Sequence, residues 1–504
     1  MNLTLLLDMA ASGFDDRVAF GPRDGGVTYA ELAARANVGA AYLRGLGVEH
    51  LVYVATNGPE FPVALFAAAR AEVPLVPVNY RLGKEQLHEL LAAHPSSLVI
   101  LEDEIRELAG EVGRARVSPS EWMALTDPAN DGDPGPEPFD SEAIALLLYT
   151  SGTTAAPKAA VLRHRHLTSY VMGTVEFASA DDDAASLVSV PPYHIAGVSN
   201  TVSNLYAGRR VVHLTSFTPQ GWLETVRAEG ITHALVVPTM LARVVEYLDE
   251  IGVPDAAVPT LRSLAYGGAP MPARIIERAL TLLPTTDFVN AYGLTETSST
   301  VAVLGPDDHR VAAASDDPTV KARLGSAGTL VPGIEAEIRD PFGDPVAPGE
   351  VGELYLRGEQ VSGEYLNRAA AVDAAGWFPT RDRARLDPDG FLFIEGRADD
   401  TIIRGGENIA PAEIEEVLRA HAAVADAAVF GLPDEEWGQV IAAVIVRKPG
   451  RDLDAETAMA FAREHLRSSK TPDVVEFRDE LPHTETGKLL RRVLQAELAE
   501  GRSG

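Results

Sequence analysis

The sequence predicts an α/β fold, a parallel sheet covered by helices, followed by a smaller α/β unit at the C-terminal end. Between residues 28 and 101, short apolar runs typical of buried strands alternate with segments whose apolar residues recur at helical spacing. This alternation is typical of parallel sheets, because parallel strands need a crossover connection. The composition changes after Arg397, and the rest of the chain has the length of a single small domain. A length of 504 residues agrees with two to four domains.

The first elements follow from this alternation. Thr28 is a suitable N-cap for the first long helix. The predicted helices of this region are 28–46, 60–71 and 84–93, and the predicted strands are 51–55, 73–78 and 97–101. Pro, Gly and Asp are frequent in residues 118–142, which we interpret as an exposed loop within one large domain. An apolar run at 143–148 then predicts another buried strand.

The later elements are marked by strand patterns and turn residues. Further strands are predicted at 186–190, 211–214, 234–237, 263–266 and 441–446. Residues 325–353 have the glycine and proline punctuation of a small, strand-rich region, and DPDG at 387–390 predicts a hairpin turn. Asp399 and Asp400 lie between two structured stretches, where a hinge is expected. Pro411 begins a predicted amphipathic helix.

Charge and composition argue against several classes of function. The chain has 73 acidic and 43 basic residues and a net charge of −30, which disfavours nucleic acids and anionic membranes as partners. Without cysteine it can form no disulfide, thiolate zinc site or cysteine nucleophile. The N-terminus lacks a signal-peptide pattern, and no apolar run approaches the ~20 residues of a membrane helix. We therefore expect a cytoplasmic protein.

The strongest candidate for a binding site is the segment YTSGTTAAPK, residues 149–158. It carries five hydroxyl side chains, one glycine and one lysine between a predicted strand and a helical pattern that begins near Arg163. Backbone N–H groups and hydroxyls in such a loop can surround phosphate oxygens, and the lysine adds positive charge. It is not a Walker loop, because Pro157 precedes Lys158 and Ala159 follows it. Taken alone, a solvated Ser/Thr turn explains the loop equally well.

Other candidates each have a structural alternative. Gly267 and Gly268 end a predicted strand, where missing side chains would let a flat ligand approach the backbone. Glu296 has the chemistry of a magnesium ligand, but Thr295 and Glu296 equally fit the capped first turn of a helix. His194 either lines a pocket or packs at a strand end.

Three polar residues later in the chain are also candidates. Asp382 could accept hydrogen bonds from paired ribose hydroxyls, and Arg397 could donate to them. Lys488 follows a glycine turn and precedes a final helix, where a lone lysine is ordinarily solvated.

Six segments occur in an order that resembles the adenylate-forming superfamily of acyl-CoA synthetases, adenylation domains and luciferases. They are YTSGTTAAPK, NAYGLTET, GWFPTRD, GRADD, GGENIAPAEIE and TETGK. The similarity extends from TYAEL near residue 28 to Lys488, almost the whole chain. Each segment is moderately specific, and six in order are very specific.

The resemblance implies an N-terminal adenylation domain, residues 1–398, made of two α/β subdomains and a small β-barrel-like subdomain. A small, mobile α+β C-terminal domain, residues 399–504, follows it. The implied enzyme uses ATP, Mg²⁺ and coenzyme A: a carboxylate attacks the α-phosphate of ATP with release of pyrophosphate, and the thiol of coenzyme A then displaces AMP from the acyl-adenylate. A hinged domain lets one site perform both half-reactions in turn.

Carried over position by position, the resemblance also implies a role for each motif residue. The phosphates of ATP are assigned to Thr150, Ser151, Gly152, Thr153, Thr154 and Lys158. The adenine and the acyl group are assigned to Gly267, Gly268, Ala269, Asn290, Ala291, Tyr292 and Gly293. The remaining assignments are Thr295 to the α-phosphate, Glu296 to Mg²⁺, Asp382 and Arg397 to the ribose, Asp399 to the hinge, and Lys488 to the carboxylate and α-phosphate. The acid and coenzyme A are assigned to His194, Arg404, Gly405 and Gly406.

Four residues depart from the usual pattern of this superfamily. Ala155 and Ala159 stand where glycine is usual, Arg381 replaces the glycine before the ribose aspartate, and Arg163 replaces Ser or Thr. These changes affect loop mobility and nucleotide contacts. They leave the reaction class unchanged.

The identity of the acid is less constrained. No aspartate near PPYHIAG could bind an α-amino group, which disfavours an amino acid. Small and apolar residues between His194 and Tyr206 favour a fatty acid of medium or longer chain, with an aryl acid as the alternative and a carrier-protein thiol as the alternative acceptor. A phosphate-releasing NTPase and a silent ATP-binding relative are the alternatives from other classes.

Overall fold

The computed structural model describes residues 1–110, 112–130, 132–133, 135, 140–150, 158–404, 407–434, 437–484 and 489–502. Within them the protein is a mixed α/β molecule with a large N-terminal and a small C-terminal domain, as predicted. No helix in these ranges has both the length and the apolar composition needed to cross a bilayer.

The helices lie on the faces of the sheets. They are α1 (Thr4–Phe14), α2 (Tyr29–Leu46), α3 (Glu60–Ala71), α4 (Lys84–Ala92), α5 (Asp103–Ala109), α6 (Pro119–Leu125), α7 (His164–Thr174), α8 (Ile195–Ala207), α9 (Pro219–Ala228), α10 (Pro238–Glu250), α11 (Ala273–Leu282), α12 (Pro306–Ala314), α13 (Pro318–Ala322), α14 (Pro411–Ala420), α15 (Ala455–His465) and α16 (Arg491–Arg502). Thr28 caps α2 as predicted, since its hydroxyl accepts a hydrogen bond from the Glu31 backbone N–H at 3.1 Å.

Two large sheets form the N-terminal domain. The strands of the first half are β1 (Val18–Phe20), β2 (Val27–Thr28), β3 (His50–Val54), β4 (Leu75–Pro77), β5 (Ser97–Leu101), β6 (Ala115–Val117), β7 (Ile144–Thr150), β8 (Lys158–Arg163), β9 (Ala185–Val188), β10 (Arg210–His213), β11 (His233–Val236), β12 (Ser263–Gly267), β13 (Asp287–Leu294), β14 (Ser299–Leu304) and β15 (Thr329–Leu330). One sheet has the order β6-β5-β3-β4-β7-β8, and the other β15-β14-β13-β12-β11-β9-β10-β1-β2. Both are parallel in their centres and antiparallel at one or both edges.

Smaller sheets follow. The strands are β16 (Glu335–Arg339), β17 (Gly352–Arg357), β18 (Phe378–Leu386), β19 (Leu392–Arg397), β20 (Ile402–Arg404), β21 (Glu407–Ile409), β22 (Val424–Asp434), β23 (Gly438–Arg447) and β24 (Val474–Arg478). β16 to β19 form a four-stranded antiparallel sheet, the observed form of the predicted small β subdomain. β22, β23 and β24 form the sheet of the C-terminal domain, and its core lies between this sheet and α14 and α15.

Two expectations about local structure were wrong. Residues 118–142 were interpreted as a loop, but Ser118 caps α6 in a capping box with Glu121. The strand–loop–helix arrangement expected around Lys158 is a hairpin, because β8 follows the loop and pairs antiparallel with β7 before α7 begins. The apolar run after Lys158 explains the second error, since its side chains pack in the core beside those of β7.

Candidate active site

A cavity of about 1100 Å³ extends along the central strands of the nine-stranded sheet, from their first residues to their carboxyl ends. Ends of β7 and β8, the four-stranded sheet and the first residues of the C-terminal helix complete its walls. Parallel sheets commonly bind ligands at this end of their strands. The C-terminal domain contributes Leu489, Leu490, Arg491 and Arg492 to the lining, so both domains face the same space.

The lysine of the predicted phosphate loop lies at one wall of this cavity. Thr150 and Lys158 are paired across the β7–β8 hairpin, and both line the cavity. Because a strand follows the loop, any anion held there would be bound by loop groups and Lys158 and not by a helix N-terminus.

Tyr365, which carries no recognisable sequence signal, connects Lys158 to Glu296. The Lys158 ammonium lies 5.8 Å from the centre of the Tyr365 ring, and the Tyr365 hydroxyl donates to Glu296 Oε1 at 2.6 Å. Burial and the Glu296 charge raise the Tyr365 pKa, which keeps this hydroxyl protonated as a donor. Arg163 stabilises the segment, since its guanidinium forms a two-pronged ion pair with Glu364 at 2.8 and 3.1 Å.

Glu296 lies in a tight turn that follows β13. Its backbone carbonyl accepts from Ser362 N–H at 2.8 Å, so the turn is fixed to the neighbouring segment. Ser298 and Ser299 have φ angles of +56° and +116°, a conformation that non-glycine residues rarely adopt. Such strain clusters at functional sites. The cavity-lining carboxylate of Glu296 suits Mg²⁺, which is usually held by one or two carboxylates together with substrate phosphates.

Asp382, Arg397 and Tyr292 form a polar cluster beside the cavity. Asp382 is 3% exposed and pairs with Arg397 across β18 and β19. Arg397 donates to Asp382 Oδ1 at 2.7 Å, and the Tyr292 hydroxyl donates to Oδ2 at 2.5 Å. Burial and the Asp382 charge raise the Tyr292 pKa well above its usual value, which keeps this hydroxyl protonated. The aspartate is thus held as an acceptor next to a cavity-lining guanidinium.

The residue before this aspartate explains why glycine is usual there. Arg381 has a φ of +63°, and a bulge interrupts the pairing of β17 and β18 around it. Its side chain lies over the cavity, 63% exposed. The chain therefore holds a left-handed residue without the glycine that would ordinarily relieve the strain.

The glycines of β12 and β13 have a packing role that the sequence did not reveal. A Cβ atom on Gly267 would lie 2.1 Å from the Ala291 carbonyl oxygen, and one on Gly293 would lie 1.8 Å from that of Ser299. These glycines permit the close approach of neighbouring backbone. Gly268 has a φ of +87°, and no atom lies within 4 Å of the position that a Cβ would take, so this is the position open to a ligand.

His194 both packs and lines the cavity, so the two alternatives considered for it coexist. Its ring centre lies 4.5 Å from that of Tyr193 at the start of α8. Burial lowers the His194 pKa to about 4, which keeps the ring neutral near pH 7.

The junction between the domains is a short turn, residues 398–400, joined to the start of α16. Arg491 donates to Asp400 at 3.3 Å, to Glu415 at 2.7 Å and to the Val429 carbonyl at 3.1 Å. Arg491 and Asp400 both line the cavity. Asp400 was expected at a hinge, whereas Arg491 was not identified from the sequence. Asp399 lies in the same turn.

The structure brings most of the described candidates to the cavity. The predicted residues that line it are Thr150, Lys158, His194, Gly267, Gly268, Ala291, Gly293, Thr295, Glu296 and Arg397. Asn290 instead donates to the Ser326 carbonyl at 2.8 Å, and Ala269 is outside the lining. Arg404 is bonded to Asp473 at 2.6 Å and does not line the cavity. The candidates outside the described residues are Ser151, Gly152, Thr153, Thr154, Gly405, Gly406 and Lys488.

Comparisons with known proteins agree with this arrangement. The family model described as AMP-binding enzyme matches residues 7–366, and the model described as AMP-binding enzyme C-terminal domain matches residues 413–488. Feruloyl-CoA synthase from Amycolatopsis sp is 35% identical over 484 residues, 93% of this chain and 94% of that protein. The fatty acid–[acyl-carrier-protein] ligase ScoC from Streptomyces coeruleorubidus is 33% identical over 487 residues, 93% of this chain and 91% of that protein.

Solved structures agree over the same length. The o-succinylbenzoate CoA synthetase MenE from Bacillus subtilis, in complex with its acyl-adenylate intermediate, has a TM-score of 0.84 at 28% identity, covering 97% of both chains. ATP-bound MatB from Rhodopseudomonas palustris has a TM-score of 0.85 at 26% identity, covering 99% of both chains.

Proposed function

The chain belongs to the AMP-binding enzyme family and is an AMP-forming acyl-CoA synthetase, and from this premise we propose how its own residues perform the reaction. Its substrates are a carboxylic acid, ATP and coenzyme A, with Mg²⁺ as the metal. The observation on which the proposal rests is that Lys158, Glu296, Arg397 and the residue after Lys488 all face one cavity.

The nucleotide is bound at the Asp382 end of the site. Asp382 accepts hydrogen bonds from the ribose hydroxyls, since Arg397 and Tyr292 hold its carboxylate in place. Gly268 leaves room for the adenine beside the strand ends. Lys158, with the loop of residues 151–157, binds the β- and γ-phosphates.

In the first step, the attack of the carboxylate on the α-phosphate, the protein acts mainly by neutralising charge and positioning the reactants. Displacement at phosphorus needs little covalent help from the protein. Glu296, oriented by Tyr365, would hold Mg²⁺, and the bound ion would supply positive charge to the phosphates. Thr295 contacts the α-phosphate from the same turn. The negative charge that spreads over the reaction centre is then met by cations on several sides.

Lys488 supplies the last positive charge from the C-terminal domain. Leu489, the next residue, lines the cavity, which supports a role for Lys488 at the reacting carboxylate and α-phosphate. After adenylation, rotation about residues 398–400 removes this lysine and brings the segment around Arg404, Gly405 and Gly406 to the thiol. Residues 1–398 and 399–504 are the two bodies of this motion.

Replacing Lys488 by alanine tests this division of labour. We expect acid-dependent pyrophosphate release to fall by at least about a hundredfold, because a cation at the reaction centre is lost. Conversion of supplied acyl-adenylate and coenzyme A to thioester should be retained. Lys448→Ala, a lysine of the same domain outside the cavity lining, is the matched control. Equal loss in both half-reactions would contradict the assigned role.

The products distinguish the alternatives from other classes. A synthetase releases pyrophosphate and AMP only with a carboxylic acid present, whereas an NTPase releases inorganic phosphate and a silent relative releases neither. The similarity to an acyl-carrier-protein ligase makes a carrier-protein thiol the second candidate acceptor. Comparing coenzyme A with a phosphopantetheinylated carrier protein as acceptor decides between them. The absence of cysteine and the net charge of −30 support a reducing compartment such as the cytoplasm and no nucleic-acid partner.

A further inference from the structure

The cavity wall formed by the nine-stranded sheet changes character with depth. At the open end, Gly267 and Ala291 are paired. Two residues further in lies an apolar row of Leu235, Ala265 and Val289, and two residues beyond that lies a polar row of Ser186, His233 and Ser263. At ~3.3 Å per residue, this polar floor is about 13 Å from Gly267 along the strand. An acid that enters from the nucleotide side therefore crosses an apolar zone and ends on polar groups.

Helix α8 presents a second polar surface at the same end. Ser199, Asn200, Ser203 and Asn204 line the cavity at helical spacing, whereas Val198, Val202 and Leu205 on the other side pack in the core. Since α8 connects the parallel neighbours β9 and β10, it runs opposite to them, and its C-terminal part lies at the level of the floor. Ser203 and Asn204 thus belong to the same inner end as Ser186 and His233.

Arg209 fixes the orientation of two amides in series. An arginine side chain can only donate, and its Nη1 donates to Asn204 Oδ1 at 3.2 Å. The amide nitrogen of Asn204 therefore points the other way, and it donates to Asn200 Oδ1. Asn200 is left with its own Nδ2 as an oriented donor, and this atom has no hydrogen-bond partner among the described residues.

His233 presents an acceptor to the same end. The Thr232 hydroxyl contacts both the Ala185 carbonyl oxygen, at 2.9 Å, and His233 Nδ1, at 2.8 Å. When the single hydroxyl proton is donated to the carbonyl, Nδ1 carries the proton of the second contact, and Nε2 is then the acceptor. Burial, with a smaller contribution from Arg209, lowers the His233 pKa to about 4, so the ring stays neutral.

We propose that the acid substrate carries a neutral hydroxyl at its far end, and that Asn200, Ser203 and His233 recognise this hydroxyl. The inference rests on the proposed function, since it names the acid for the same site. A hydroxyl can accept from Asn200 Nδ2 and donate to His233 Nε2 at once. The hydroxyls of Ser186 and Ser203, which are buried without partners within the described part of the chain, serve as further contacts.

Other far ends fit this floor less well. A methyl end would leave the Asn200 and Ser203 polar atoms desolvated and unpaired, which is costly. A second carboxylate can only accept, so it would place its oxygens against the neutral Nε2 acceptor of His233. The hydroxyl end, on an aromatic ring or on a chain, is therefore the favoured class over an unbranched fatty acid.

The test uses acids that differ only at the far end. Pyrophosphate release is measured with octanoate, 8-hydroxyoctanoate and octanedioate, and with cinnamate and 4-hydroxycinnamate. In at least one series we expect kcat/KM for the hydroxy acid to exceed that of the unsubstituted acid by at least about tenfold, because a site built to bind a hydroxyl rejects its absence. The dicarboxylate should be poorer than the hydroxy acid.

Variants identify the residues responsible. Asn200→Leu and, with a smaller change of volume, Ser203→Ala should bring the hydroxy-to-unsubstituted ratio of kcat/KM to about one or below. Thr201→Val removes a hydroxyl from the same helix, where it donates to the Gly197 carbonyl and does not line the cavity, and should leave the ratio unchanged.

The outcomes separate this inference from the proposed function. If unsubstituted acids release pyrophosphate as well as their hydroxy partners in both series, the inference is overturned and the synthetase assignment stands. A preference that survives in Asn200→Leu and Ser203→Ala overturns the assignment of the residues. If no acid in the panel supports pyrophosphate release while ATP is hydrolysed to inorganic phosphate, the proposed function itself fails.

Discussion

Tyr365 shows how one side chain joins charged groups that lie far apart in the sequence. Its ring lies near the ammonium of Lys158, the first residue of β8. Its hydroxyl donates to the carboxylate of Glu296, which follows β13. No local sequence pattern predicts the hydrogen bond between Tyr365 and Glu296, because the two residues are 69 positions apart in the chain. The strand-like segment that carries it pairs beside β8, where Leu366 N–H donates to the Ala159 carbonyl at 2.9 Å.

Replacing Tyr365 by phenylalanine should weaken adenylation. The hydrogen bond to the Glu296 carboxylate is lost, and bonds to charged groups contribute about 1.5–3 kcal/mol, so we expect acid-dependent pyrophosphate release to fall about tenfold or more. The Mg²⁺ concentration for half-maximal rate should rise, because Glu296 loses its orientation. Tyr355→Phe, whose ring packs on Arg339 in the four-stranded sheet, is the control. An unchanged Mg²⁺ dependence would argue against this role.

At the scale of the element, strand β18 contains a bulge next to Asp382, where its pairing with β17 is interrupted. The bulge around Arg381 turns Asp382 inward, so that its carboxylate meets Arg397 and Tyr292. The chain makes this turn with an arginine, and the left-handed conformation of a residue with a Cβ costs roughly 1–2 kcal/mol.

Replacing Arg381 by glycine should therefore stabilise the protein. Relief of the left-handed strain is partly offset by the greater freedom of glycine in the unfolded chain, leaving a gain of roughly 0.5–1 kcal/mol. A rise in the midpoint of thermal unfolding would measure it. Arg383→Gly, two residues along the same strand, should have the opposite sign. Destabilisation by both substitutions to the same extent would contradict this interpretation.

The sequence predicted well the helices and strands that have a local apolar pattern. It predicted poorly the features that depend on contacts with distant parts of the chain. Helices α3 and α14 and strand β5 are found at the expected positions, because their apolar patterns, and the proline at the start of α14, are local signals. β8 was missed because an apolar run between a loop and a helix does not reveal its antiparallel partner. The polar face of α8 was read as small and apolar, since only the tertiary structure shows which side of the helix meets the cavity.

The same limit applies to the candidate site. Motif order located Lys158, Glu296 and Arg397, all of which line the cavity. Tyr365 and Arg491 act through partners from distant segments, and no spacing rule could identify them.

At the scale of the whole molecule, Arg491 joins the start of α16 to the proposed hinge at residues 398–400. It stands three residues after Lys488 and bonds simultaneously to the hinge turn at Asp400 and to Glu415, which is 3% exposed. In the proposed reaction, the start of α16 that follows Lys488 is therefore linked to the conformation of residues 398–400.

Replacing Arg491 by glutamine should uncouple the two half-reactions. We expect pyrophosphate release to fall by about tenfold or more, because the segment that carries Lys488 loses its anchor and the buried Glu415 loses a partner. Thioester formation from supplied acyl-adenylate should change less. Arg478→Gln, an exposed arginine of the same domain that pairs with Glu497, is the control. Equal effects of the two substitutions would refute the coupling.

The pairing of Thr150 with Lys158 has a consequence for how this enzyme could be altered. Both ends of the seven intervening residues are held by the register of β7 and β8, whose other pairs extend to Ile144 and Arg163. The stretch can consequently be exchanged as a cassette, longer or shorter, without displacing the lysine that follows it. Substituted loops from distant homologues would then report on loop chemistry alone, against an unchanged scaffold.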